Sequence, residues 1–488
     1  MRRVLALILA AAIISSFTFA AGGCASGKIK KINLYRATFN LTVPDEEQVR
    51  KVQKAVNDYI GDKIGVEIVL HDISSDIYPE TADKALRDGE ADLVWTASWE
   101  TVIGTNDLVS NALVYDFTDL LVGSRVYDSM ETDPWEVTKY DGRNYFIPVY
   151  KDNAEGYDLM FRKELVDKYG WDLSAVNTLA DIENMLEDCK REGLEYPFLL
   201  QRRAMFNRFY LDDFDFFTGD PTSDFVAVDR ETDTVVNTVE SEHFHEFCTL
   251  IADWTERGYI SETESAPTAP AVKMSAMDWG ISWWTDIPVN EEADQRYNTT
   301  VAMKTITDRW AHSTSALGSC YCINASCDPE TVRACLDFLG LLYTDSYLAD
   351  IYTFGIEGED FRYDVNGQVM QESDRYNHSA WESASATVVT PLRGEPSNKA
   401  SLYREFNSGA RISSAAGFRP DISSVESSFA ACRKVAEEYG KKLELGGVSP
   451  SEVDACLEEY EKALYAAGFE EVLNEFSRQY EDWKSFKH

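Results

Sequence analysis

Histidine is scarce in this sequence, at six of 488 residues. No H-E-x-x-H pair, G-x-S-x-G elbow or phosphate-cradling glycine loop occurs. Zinc proteolysis, serine hydrolysis and nucleotide hydrolysis thus lose their usual signatures. Cysteine is thin as well, with nine copies too dispersed for a disulfide scaffold. Positive charge is the other shortage: 46 Lys and Arg stand against 84 Asp and Glu, a formal charge of −38. Such acidity argues against nucleic acid and against docking by charge on an anionic membrane surface. Beyond the first 19 residues no stretch is apolar enough to cross a bilayer.

What is present begins with a leader. Arg2 and Arg3 form a positive n-region, Val4 to Phe19 an apolar h-region, and Ala21, Gly22 and Gly23 precede Cys24. That order reads as a lipoprotein signal over residues 1–23, with lipidation expected at Cys24; cleavage near Ala20 by the ordinary signal peptidase is the alternative. Two acyl chains suffice for stable anchoring, so the expected location is the outer face of the cytoplasmic membrane. Losing Arg2 and Arg3 would take the charge from −38 to −40.

The remainder is 44% hydrophobic and 12% aromatic, enough for more than one core. Lys31 to Ala37, Gly65 to Ile73 and Asp92 to Thr96 read as strands, separated by helices over Asp45 to Ile60 and Glu80 to Asp88. This β-α-β-α-β run opens a parallel sheet. Gly142 to Tyr150 reads as a strand broken at Pro148, and Gly156 to Arg162 as the next, which suits a crossing between lobes. Helices are expected from Thr178 to Gly193, His243 to Arg257, Asp328 to Tyr343 and Ser449 to Gly468, followed by a last one. Cys320, Cys322, Cys327 and Cys335 lack the paired spacing of a zinc ribbon and read as buried small residues. Asp213, Asp215, Gly219 and Asp224 miss the calcium-loop spacing, and His243, His245, Glu246 and Cys248 fall on different faces of one helix. No metal or cofactor is expected.

Several fragments together carry a resemblance. These are VQKAVNDYIGDKIGVEIVLHDI (52–73), ADLVWTASW (91–99), RNYFIPVYKDNAEGYDLMFRKELVDKYG (143–170), GSCYCINASCDPETVRACLDFLGLLYTD (318–345), YTFGIEGEDFRYD (352–364), GFRPD (417–421) and AAGFEEVLNEFSRQYEDWK (466–484). In this order and spacing the chain resembles the extracellular solute-binding lipoproteins of ABC importers, specifically the LipO-like family of Gram-positive bacteria. The resemblance implies an α/β, two-lobed clamp of periplasmic-binding-protein type. Each lobe would be a mostly parallel sheet flanked by helices, with a C-terminal helical module. Expected boundaries are 24–148 for the first part of lobe 1, 149–314 for the main part of lobe 2, 315–390 for the return to lobe 1, and 391–488 for the rest of lobe 2 and the helical module. It also implies hinge closure on a small solute, delivery to ABC permease subunits, and a monomer with no catalytic residues.

Sugars offer apolar C–H faces and hydroxyl edges, so aromatic plates and polar side chains are the residues to seek in the cleft. From loop placement the candidates are Arg36 and Asn40 after the first strand, Trp99 after the third, Tyr150 and Asp152 at the first crossing, Trp283 and Trp284, and Trp381. The expected cargo is a sugar or oligosaccharide. A peptide or amino-acid-type solute in the same clamp is the alternative, and a secreted glycoside hydrolase with two working carboxylates is the rival from another class.

Overall fold

The computed structural model describes residues 29–40, 45–200, 206–218, 221–260, 279–284, 287 and 299–487. The leader and Cys24 lie outside them. Strand β1 (Lys30–Thr38) pairs in parallel with β2 (Val66–Ser74) along its whole length and with β3 (Leu93–Thr96). The intervening helix Glu46–Ile64 starts where the Asp45 side chain accepts the amides of Glu47 and Gln48. It buries Val49, Val52, Val56 and Ile60 on one face and stops at Gly65, whose φ of 65° needs glycine. Helix Tyr78–Asp88 ends the same way at Gly89.

The expected strand over Gly142 to Tyr150 shortens to β4 (Phe146–Pro148), and the chain crosses to a second lobe. There it forms β5 (Asp158–Arg162) and β6 (Tyr196–Phe198), an antiparallel sheet of β7 (Phe214–Asp215), β8 (Val226–Asp229) and β9 (Thr234–Asn237), then β10 (Trp279–Trp284), β11 (Val301–Thr305) and β12 (Trp310–Ala311). Strand β13 (Cys320–Ile323) returns to the first lobe. Between Thr178 and Gly193 the expected helix is split. A short 3-10 turn, Leu179–Ile182, carries the Thr178/Asp181 capping box, and helix Glu183–Arg191 follows.

The two main sheets share one rule. The first has the order β2-β1-β3-β13-β4 and the second β11-β5-β10-β6. In each, one strand runs against all the others: β13, antiparallel to β3 and β4, and β5, antiparallel to β10 and β11. Both are strands by which the chain enters a lobe from a crossing, so they begin where their neighbours end. Cys320 opens β13 opposite Thr96 and Pro148, and Asp158 opens β5 opposite Trp284 and Thr305. The carboxyl ends of the remaining strands therefore face the crossings, where ligands of such sheets gather.

Two cores follow from this. One draws its buried residues from Ile32–Val149 and Leu317–Val389, the other from Tyr157–Trp310 and Ala415–Tyr480. The C-terminal helices Glu426–Leu443, Val453–Ala466 and Phe469–Lys487 pack into the second through Phe429, Leu464, Phe476 and Tyr480. The eight cysteines after Cys24 are free thiols; seven are buried and Cys327 is half-buried. Burial pushes the Cys327 thiol up to about 12, which leaves it protonated and unreactive at neutral pH.

Candidate binding cleft

Between the lobes lies a cleft of about 1270 Å³ lined from both sides and from the crossings. On the first lobe the loops after β1 and β3 bring Phe39 and Trp99 beside Trp381, which sits on the short helix Ala380–Ser383. Phe39 centres 5.0 Å from Trp381 and 6.1 Å from Trp99, and fully buried Trp95 packs behind all three. The wall is held in place by polar anchors. Trp95 donates to Ser319 Oγ at 2.9 Å and Trp99 to the Gly318 carbonyl at 2.8 Å. Asn40 donates to Ser379 Oγ at 3.1 Å, just ahead of the Trp381 helix.

Beneath the wall is a buried ionic network. Arg36 donates from Nε to Asp72 Oδ1 at 2.7 Å, from Nη1 to the Tyr352 carbonyl at 3.0 Å and from Nη2 to the Tyr376 hydroxyl. Its guanidinium also lies 4.1 Å from the Tyr352 ring. His378 donates to Asp72 Oδ2 at 3.1 Å. Burial would raise the Asp72 carboxyl, but Arg36 and His378 outweigh it and hold the group well below the usual carboxylate range. The network thus pins segment 376–382, on which Trp381 rides.

The rest of the lining is largely polar. His312 donates to Glu155 Oε2 at 2.6 Å, and Tyr157 donates to the other oxygen of the same carboxylate. Burial opposes ionisation of Glu155, yet the His312 and Tyr157 bonds bring its carboxyl down to about 2. Lys151 pairs with Asp152 at 2.8 Å and Lys399 with Glu395 at 2.6 Å. Arg208 enters from the second lobe with its guanidinium 4.9 Å from the Trp283 ring.

Of the eight residues proposed from sequence, Asn40, Trp99, Asp152 and Trp381 line the cleft. The other four do not. Arg36 is fully buried under the aromatic wall because its β1 position points into the sheet's packing with Asp72 of β2. Tyr150 turns into the crossing, 2% exposed. Trp283 and Trp284, 3% and 2% exposed, occupy opposite faces of β10, an interior strand covered on both sides, so each is core. Sequence reasoning missed Glu155, Arg208, His312, His378 and Tyr403, all in the lining. Two of the six histidines are among them, and that scarcity was the one available signal. Among the described residues no three His, Cys, Asp or Glu side chains converge to hold a metal ion.

Three crossings join the lobes. The first and second exchange backbone bonds between Glu155 and Trp310. Arg411 and Ser413 of the third donate to the carbonyls of Arg309 and Ala311. Asn407 braces the first: its Oδ1 accepts the amides of Asn153 and Ala154 at 2.9 and 3.2 Å, and its Nδ2 donates to the Lys151 carbonyl at 2.6 Å. Replacing Asn407 with alanine takes the acceptor from the Ala154 amide, while the Asn153 amide keeps its bond to the Lys151 carbonyl at 2.9 Å. Amide hydrogen exchange at Ala154 is expected to rise roughly tenfold, the equivalent of about 1.4 kcal/mol, with amides of the lobe cores unchanged.

Two α/β lobes, crossings that join them and an interlobe cleft lined by aromatics and by paired charges make up a two-lobed architecture. Comparisons with known proteins agree. The chain is 22% identical over 380 residues, 75% of each chain, to a carbohydrate ABC transporter substrate-binding protein of Streptococcus pneumoniae serotype 4. The N-glycan transport solute binding protein NgtS of Streptococcus pneumoniae superposes with a TM-score of 0.79 at 19% identity, covering 94% of this chain and 100% of that one. An HMO-binding, ABC-transporter-associated solute-binding protein of Bifidobacterium longum infantis gives 0.63 at 15% identity, covering 94% and 99%. A family profile described as a domain of unknown function (DUF3502) matches residues 414–485, the C-terminal helical region. The chain therefore has the fold of the two-lobed solute-binding proteins of ABC importers, as the sequence resemblance implied.

Proposed function

We propose that this protein captures a sugar or oligosaccharide between its lobes, closes on it by hinge motion and presents it to ABC permease subunits. In this reading it is held at the outer face of the cytoplasmic membrane by lipid on Cys24 and acts as a monomer. The observation that carries the proposal is that one cleft is lined both by the Phe39–Trp99–Trp381 wall and by the polar Lys151–Asp152 and Glu155–His312 pairs of the crossings. Ring faces stack on sugar C–H surfaces, and carboxylates accept hydroxyl protons. Solved complexes of NgtS with Man1GlcNAc and Man5GlcNAc support the same cargo class. We place lobe 1 at 24–148 and 315–390 and lobe 2 at 149–314 and 391–488, a division supported by the membership of the two cores.

No chemistry on the solute is part of this reading, and the relatives named as binding proteins support that. The test is a thermal-shift screen of the mature chain with oligosaccharides, peptides and amino acids. A cognate sugar at a hundredfold excess over its Kd should add about 2.7 kcal/mol of stability. Stabilisation by peptides with none by sugars would replace the cargo, and release of shorter products from a labelled oligosaccharide would replace the clamp with a hydrolase.

A further inference from the structure

We infer that the cleft selects uncharged oligosaccharides of several rings and rejects carboxylated ones such as uronates or sialosides. This rests on the reading of the cleft as a sugar site. The first observation is size. At about 1270 Å³ the cleft exceeds the ~300–1,000 Å³ that encloses drug-sized ligands, far more than one sugar ring fills. Its lining also extends past the aromatic wall to the largely buried Tyr403 on helix Lys399–Ser408.

The second observation is charge. Recognition of a carboxylate in a partly desolvated site calls for an arginine or lysine whose donors are aimed at it. Among the described residues the cationic side chains of this lining are committed inside the protein. Lys151 is held by Asp152 at 2.8 Å and Lys399 by Glu395 at 2.6 Å, with both pairs largely buried. His312 serves Glu155, and His378 serves Asp72. Arg208 lies over the Trp283 and Tyr157 rings. Among the described residues the lining sets Asp152, Glu155, Asp224 and Glu395 against Lys151, Arg208 and Lys399. An incoming carboxylate would meet a surplus of acceptors, whereas hydroxyl groups, which donate as well as accept, find partners throughout.

The inference is tested by calorimetric titration of the full mature chain with neutral tetrasaccharides of gluco, manno, galacto and fructo configuration, their parent monosaccharides, and oligouronates and sialylated glycans of matching length. Support is at least one neutral tetrasaccharide binding tenfold or more tighter than every acidic ligand and every monosaccharide. Acidic ligands that bind as tightly as the best neutral one would overturn the charge selection while leaving sugar capture intact. A monosaccharide of equal affinity would overturn the multi-ring requirement alone. Binding of no carbohydrate in any arm would count against the sugar reading and this inference together. As a second measurement, Glu395→Gln releases Lys399 and is expected to tighten oligouronate binding several-fold with no such gain for the neutral ligand; an unchanged preference would count against the pairing argument.

Discussion

Replacing Trp381 with alanine is expected to weaken binding of the best-stabilising saccharide about 30-fold, the equivalent of about 2 kcal/mol. The residue is central to the wall, 5.0 Å from Phe39 and backed by Trp95 at 6.1 Å, so its ring is a prepaid plate whose stacking costs little further ordering. Its helix is set by a capping box in which the Ser379 amide donates to Glu382 at 2.7 Å. That box lies outside the ring, so the alanine variant should keep the local backbone. Trp381→Phe retains a ring face and should recover most of the loss. Calorimetry reads the affinity and thermal unfolding reads the fold. A Trp381→Ala chain that unfolds normally and binds within twofold of wild type would remove the aromatic wall from the proposed site.

Arg36→Met should act on stability instead, by about 3–5 kcal/mol, because it strands Asp72 as a buried charge short of its main partner. Lysine would not rescue the position. A single ammonium cannot reach both Asp72 oxygens, the Tyr352 carbonyl and the Tyr376 hydroxyl as the guanidinium does. The effect carries a pH signature. Since the folded Asp72 carboxyl lies below its unfolded value, its contribution is complete above about pH 4, where an unfolded aspartate is ionised, and is lost as pH falls further toward the folded value. The stability gap between wild type and Arg36→Met should therefore be full at pH 7 and shrink below pH 4. Denaturant unfolding at both pH values measures it, and an equal gap at the two would show that Asp72 does not carry the effect. Binding should weaken in the same variant through the segment that bears Trp381.

Four of the eight candidate residues line the cleft, and the division has a cause. Asn40, Trp99 and Asp152 follow strand ends or the first crossing, and those ends face the cleft; Trp381 reaches it from the short helix Ala380–Ser383. Arg36, Trp283 and Trp284 are strand residues, and Tyr150 belongs to a crossing. Whether such a side chain meets ligand or core depends on what packs over it, and for Arg36 the covering residues, Tyr352 and Tyr376, lie more than 300 positions away.

By itself the sequence determined what neighbours within a few residues decide: the β-α-β opening, the caps at Asp45, Asp328 and Ser449, the glycine stops at Gly65 and Gly89, and the break at Gly468. Capping chemistry and hydrophobic period act over one or two turns, so they are readable in one dimension. Only the tertiary structure decided which charges pair and which rings face the cleft. Glu155 meets His312 and Lys151 lies under Asn407 because the crossings of two lobes run side by side, a juxtaposition made by long-range packing and written in no local stretch of the chain.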